Sequence, residues 1–187
     1  MKLLLILLGI VLIGFACTKS EKAVEPVGEM SMKSVSYRGG LVSFSIPSHW
    51  KEEYGEGGGG MFYDGSQDSG TLRLNILTFD TSNSSDAVDV STAAQKTAAT
   101  NGGEAFALRE DDAMARYDSQ SFEDGEALTL RFWQVYNRVN DSHLRIAVFS
   151  YTLPSASIGG EKHKLELEML DREIRNARFA ETTGTLQ

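Results

Sequence analysis

The chain has 187 residues, 41% of them hydrophobic, and carries 18 basic against 26 acidic side chains, a formal net charge of −8. That balance argues against a nucleic-acid ligand and against adsorption to anionic lipid, since both need clustered Lys and Arg. The length suits one domain with a tether, and the hydrophobic share is that of a globular chain.

Met1-Lys2 gives a short basic start, and Leu3 to Ala16 is almost wholly apolar and uncharged. A basic start, a short apolar run and a small residue before the cut make a secretory signal over residues 1–16. The run is too short to span a bilayer, which needs ~20 apolar residues. Cys17 is the only cysteine, so it has no internal disulfide partner, and it directly follows Gly14-Phe15-Ala16. This site resembles the lipobox at which bacterial lipoproteins are acylated and cleaved. Ala16 is in place; Gly14 and Phe15 stand where Leu and a small residue are commoner. The resemblance implies acyl chains such as palmitate on Cys17, and more than one chain suffices for stable membrane anchoring. Thr18, in place of Asp, implies an outer-membrane address facing the periplasm. A plain secreted protein is the alternative. Removal of residues 1–16 leaves 171 residues with 17 basic and 26 acidic side chains, net −9. Such acidity fits a soluble surface or a basic protein partner.

Residues 17–32 read as the lipidated cysteine and a flexible tether, and residues 181–187 as a disordered tail. Residues 33–180 read as a single α+β domain. Ser34–Tyr37 and Leu41–Ile46 flank Arg38-Gly39-Gly40 as a hairpin, with Val42, Phe44 and Ile46 on one face. Pro47 stops the second strand and Trp50 follows. Met61–Tyr63 is a short strand, and Thr71–Phe79 a longer one with Leu72, Leu74 and Ile76 on one side. Ser84, Ser85 and Asp86 are N-cap residues ahead of Ala87, Val90, Ala94 and Ala98 at helical spacing, and Asn101-Gly102 ends that helix. Strands return at Ala105–Leu108, Ala113–Ser119, Glu126–Asn137 and Ser142–Leu153, and their short links make neighbours antiparallel. A helix over Glu161–Arg178 carries a stripe of Leu167, Leu170, Ile174 and Ala177. The order of strands, helix, four-strand meander and helix predicts an α+β domain on an antiparallel sheet.

Phe44-Ser45-Ile46-Pro47-Ser48-His49-Trp50 resembles the F-x-[IL]-P-x-x-W opening of Mog1/PsbP-like domains. The resemblance implies a three-layer α/β/α sandwich around an antiparallel sheet, and the element order agrees with it over Lys33–Ala180. Members of that family include photosystem assembly subunits, a regulator of a nuclear transport GTPase, bacterial lipoproteins and chaperones for secreted toxins. It therefore implies a non-catalytic binding module and hands over no catalytic residue.

The residues themselves offer little chemistry. His49, His143 and His163 have no metal-ligand spacing, and a second cysteine is missing, so no metal and no cofactor is expected. No G-x-S-x-G elbow is present. Asp64-x-Ser66-x-Asp68-x-Gly70 opens like a calcium loop, but Ser69 and Asn75 stand where that loop needs Gly and Glu. Gly57–Gly60 lacks the spacing of a phosphate cradle and is preceded by Glu52, Glu53 and Glu56. It reads as a mobile loop that could close over a partner.

Two functions compete. One is an envelope lipoprotein whose domain binds another protein, as an immunity or assembly factor for example. The other is a small-ligand or substrate-binding lipoprotein, weakly enzymatic at most, with a pocket built from Trp50, Phe62, Tyr63, Trp133 and Tyr151. For the first, the last two long strands suggest a surface. With a turn near Asn140, Leu128, Leu130 and Phe132 share a face with Leu144, Ile146 and Val148, and this face reads as core. The other face carries Arg131, Trp133, Arg145, Phe149 and Tyr151, residue types enriched at interface hot spots. Either a helix covers that face too, with the arginines at its rim, or it stays partly open for a partner.

Overall fold

A computed structural model describes residues 30–66, 69–82 and 89–181. The signal stretch, Cys17, the tether up to Glu29, Asp68, the expected caps Ser84, Ser85 and Asp86, and the tail from Thr182 lie outside the described residues.

β1 (Met32–Tyr37) and β2 (Val42–Pro47) form a hairpin paired from Met32↔Pro47 to Tyr37↔Val42. β3 (Lys51–Tyr54), β4 (Gly60–Tyr63) and β5 (Thr71–Asp80) follow, then α1 (Val90–Asn101). β6 (Glu104–Arg109), β7 (Asp112–Glu123), β8 (Glu126–Asn140) and β9 (His143–Pro154) make the meander, and α2 (Glu161–Arg175) and β10 (Arg178–Phe179) end it. β9 returns to pair with β5 over Thr71↔Thr152 to Asp80↔His143. Seven strands thus join in the order β3-β4-β5-β9-β8-β7-β6, and β10 joins the hairpin as β1-β2-β10. Each of these strand pairs is antiparallel.

Two elements differ from expectation. β3 is exposed at all four residues, so it shows no alternation to read. The last helix stops at Arg175, and Arg178 and Phe179 pair with Ser43 and Val42 instead of continuing it. α1 is capped by Asp89, whose carboxylate accepts from the N–H of Ser91 at 3.1 Å and of Thr92 at 3.2 Å. Gly102 ends it at φ 66°, a left-handed conformation that suits glycine.

The seven-stranded sheet has an inner and an outer face. Leu72, Leu74, Trp133, Val135, Ala147, Phe149 and Tyr151 lie on the inner face and are fully buried. They pack in one cluster with Val35, Val42, Phe44 and Ile46 of the hairpin and with Leu167, Leu170 and Ile174 of α2. Phe44 meets Phe62 and Phe149 edge-on at 5.3 and 5.2 Å, and Trp50 stacks on Tyr151 at 6.1 Å. On the outer face α1 sets Val90, Ala94 and Ala98 against Ala113, Ala115, Tyr136 and Leu144. The layers are α2 with the small sheet, the large sheet, and α1.

The β8–β9 register agrees with the alternation read from the sequence. Trp133 lies opposite Phe149, Arg131 opposite Tyr151 and Asn137 opposite Arg145. Of the two alternatives, the covered face is the one found, with Arg131 at its rim, whereas the aliphatic face expected as core is the less buried one. The face with Trp133, Phe149 and Tyr151 is the interior, while Leu128, Leu130, Phe132, Ile146 and Val148 are only half-buried on the outer face. The polar tips explain it, because each finds a partner inside. Trp133 Nε1 donates to Asp171 at 3.0 Å, Tyr151 Oη to Glu166 at 2.7 Å, and Arg145 Nη1 to the carbonyls of Ala180 at 2.8 Å and Leu41 at 3.3 Å.

Trp133→Ala is expected to cost ~3–5 kcal/mol by emptying the centre of this core. Urea unfolding followed by circular dichroism measures it. A loss under ~1 kcal/mol would place the indole outside the interior.

Candidate binding face

Arg131, Trp133, Arg145, Phe149 and Tyr151 are brought together, but beneath a layer. Trp133, Arg145, Phe149 and Tyr151 are fully buried, so they serve as core and not as an open surface. Only Arg131 reaches the rim, its side chain 28% exposed and held by Asp118 through two bonds of 2.7 and 2.8 Å. Desolvation lowers the pKa of Arg145. Of the aromatics considered for a ligand pocket, Trp50, Phe62, Trp133 and Tyr151 are core. Tyr63 is half-buried and donates to Glu53.

The other candidate groups are also accounted for locally. Asp64 accepts from Ser66 at 2.8 Å and lies 3.6 Å from Lys162 and 3.7 Å from His49. Among the described residues no group of three or more His, Cys, Asp or Glu is arranged to hold a metal ion. The glycine run is tied down instead of free. Arg38 donates to the carbonyls of Gly58 and Gly57 at 3.0 Å each, and Tyr37 Oη reaches Gly58 and Leu74. A Cβ on Gly60 would come within 2.9 Å of the Tyr37 ring and 3.0 Å of Phe62. Gly58 and Gly60 are glycine because the Arg38 guanidinium and the rings of Tyr37 and Phe62 pack against their backbone.

A cavity of about 360 Å³ opens between α2 and β7–β8, lined by Arg116, Arg131, Lys164, Leu167, Glu168 and Asp171. Its arginines are engaged: Arg116 bonds Asp171 and Glu104, and Arg131 bonds Asp118. Asp171 gathers Arg116 at 2.8 Å, Trp133 at 3.0 Å and Arg175 at 2.6 Å. Burial pushes its carboxyl up, but the bonds from Arg175, Trp133 and Arg116 outweigh this and hold it below the usual carboxylate range.

The outer face is where apolar surface stays open. α1 lies over β6, β7 and β8 and reaches Leu144 and Ile146 of β9, while the end of β5 stays exposed. Leu77 is 53% exposed and Phe79 45%. Their cross-strand partners are Ile146 and Leu144. Val148, Phe132 and Leu130 extend the surface, half-buried, and Phe132 stacks on Tyr117 with centroids 5.0 Å apart. The exposed part of this apolar strip lies at the end of β5 beside β9, and Gln134 and Ser150 stand between it and Phe132 and Leu130 on β8. Exposed apolar side chains grouped in this way mark interaction sites. Sequence reading passed over Leu77 and Phe79. The signal was present: the outward positions of β5 run Thr71, Arg73, Asn75 and then turn apolar at 77 and 79.

The sequence matches no family model, and no curated protein matches it. Solved structures share its fold. One from Bacteroides thetaiotaomicron superposes with a TM-score of 0.57 and 17% identity over 82% of this chain; the chain spans half of that protein's length. LpqN of Mycobacterium tuberculosis, described as involved in cell envelope biogenesis, superposes with a TM-score of 0.55 and 10% identity, over 80% of this chain and 91% of LpqN. The Ran-binding protein Mog1p of Saccharomyces cerevisiae aligns over 80% of this chain and 96% of its own, with a TM-score of 0.46 and 12% identity. The fold is shared with the Bacteroides protein and LpqN, and its element order and layers are those expected from the sequence. Among the described residues no helix is long and apolar enough to cross a membrane.

A carboxyl held below its ordinary pKa stabilises the fold above the unfolded value and loses that effect as pH falls through the folded one. The stability gap between the protein and Asp171→Asn is therefore expected to be constant above about pH 5 and to shrink below about pH 4. Denaturant titrations at pH 7 and pH 3 measure it; an equal gap at both would remove the charge from the account.

Proposed function

We propose that this protein is a membrane-anchored envelope lipoprotein whose domain is a non-catalytic protein-binding module. The exposed apolar strip around Leu77 and Phe79 carries the reading. The signal-like start and Cys17 support the anchor, and the fold shared with LpqN is in keeping with an envelope role. The anchor holds the domain at the outer membrane facing the periplasm, and the acidic surface favours a basic partner, in an immunity or assembly role. The domain offers its partner the outer face beside α1.

Leu77→Ser with Phe79→Ser is the test of the face. Both side chains are about half exposed, so the melting temperature should move by only a few degrees while photo-crosslinking from the neighbouring outward position 75 to an envelope protein disappears. Unchanged crosslinking would reject the face. Cys17→Ser is expected to abolish metabolic labelling by a palmitate analogue and to release the protein from membranes; persistent labelling would reject the anchor.

A further inference from the structure

β6 is half as long as β7, six residues against twelve. It pairs with Asp112–Arg116 and starts at Glu104. Just before it, Gly103 lies so near β7 that a Cβ would meet Arg116 O at 2.1 Å and Tyr117 Cβ at 2.7 Å. Among the described residues no strand pairs with the outer side of β7 beyond that point, although β8 stays paired to Glu123↔Glu126. Asp118–Glu123 is therefore an open sheet edge, exposed at every residue and ~20 Å long at ~3.4 Å per residue.

The hairpin decides which groups are unpaired. Asp124 and Gly125 have φ of 50° and 85°, the signature of a two-residue type I′ turn. The flanking pair Glu123–Glu126 then exchanges both hydrogen bonds. Alternation turns the N–H and C=O of Ser119 and Ser121 toward β8 and those of Asp118, Gln120 and Phe122 outward. Three residues thus present six main-chain groups in the geometry that an added strand uses.

We infer that this edge accepts an extended, basic segment of another protein by strand addition. Asp118, Glu123, Asp124 and Glu126 make the hairpin end acidic, and the nearby cations are engaged, Arg131 with Asp118 and Arg116 with Glu104 and Asp171. Phe122, 73% exposed, supplies an apolar contact among the polar ones. Where β6 begins, a notch of about 310 Å³ between Gly102–Glu104 and Arg116–Asp118, with Arg131 at its side, leaves room for the end of the strand. A second copy is the poorer occupant. Antiparallel self-pairing about Gln120 sets Asp118 opposite Phe122 and so brings Glu123 and Asp124 of one copy alongside Asp118 of the other, and like charges brought together destabilise a sheet. None of these edge residues belongs to the strip around Leu77 and Phe79, so the two surfaces stand or fall separately.

Titration of the isotope-labelled full chain with a short synthetic peptide alternating Lys and Val, followed by amide hydrogen exchange, tests this. The amides of Asp118, Gln120 and Phe122 should gain ~10-fold protection or more, while Ser119 and Ser121, already bonded to β8, change less. A peptide with Glu for Lys should give no protection. Phe122→Pro removes an outward N–H and leaves the β8 ladder intact, so it should keep the melting temperature within a few degrees and abolish the protection. Absence of protection, protection that survives Phe122→Pro, equal protection by the Glu peptide, or edge protection that grows with protein concentration alone would each overturn the inference.

Discussion

Two carboxylates on α2 hold the interior in place. Asp171 receives the indole N–H of Trp133, and Glu166 receives the hydroxyl of Tyr151. Large aromatic side chains bury most favourably when their polar tips are bonded, so each pair ties the bulk of a ring to one position on the helix. The acceptors are five residues apart, ~7.5 Å along the helix axis. Their donors sit on neighbouring strands of the same face, with Trp133 opposite Phe149 and Tyr151 opposite Arg131. A slip of α2 by one turn would break both bonds together. The β1–β2 hairpin fills the remaining width through Phe44, which meets both Phe62 and Phe149.

That arrangement uses α2 and the hairpin on one side and leaves α1 alone for the other. α1 presents Ala94 and Ala98 to Ala113 and Ala115, small residues on both sides of the contact. Such a helix can lie close to the sheet but covers little of it. The inner face is covered over its centre, while on the outer face α1 covers β6, β7, β8 and Leu144 of β9. Leu77 and Phe79 remain exposed because no helix of the described chain is packed over the end of β5. The open strip follows from the number and size of the covering elements, not from any strain at the strip itself.

Strand pairing was legible in the sequence and sidedness was not. Alternation placed Arg131, Trp133, Arg145, Phe149 and Tyr151 on one side, as the register shows. A period of two cannot say which side meets the covering layer. Composition pointed the wrong way, because an aliphatic face looks like core and a face with arginines looks like surface. Arg145 defeats that rule by bonding main-chain carbonyls of Leu41 and Ala180, groups far away in sequence. The Gly57–Gly60 run misled for the same reason. Its lack of side chains looked like freedom until Tyr37 and Arg38 were seen against it. Conversely, Phe44–Trp50 was informative because its function is local: Phe44 and Trp50 both enter the core within one strand and turn.

An open sheet edge and an open apolar strip on one small domain are both liabilities for self-association. Acidity limits that risk. The chain carries eight more acidic than basic side chains, and the open edge ends in Glu123, Asp124 and Glu126. Two copies approaching through these surfaces repel each other, whereas a basic protein is drawn to the same field. The charge that keeps one copy from another thus admits a partner of opposite sign, and neither surface has to be closed by the chain itself. Discrimination of this kind acts at long range and does not depend on a preformed pocket, which accords with a domain whose two tryptophans are both spent on its interior.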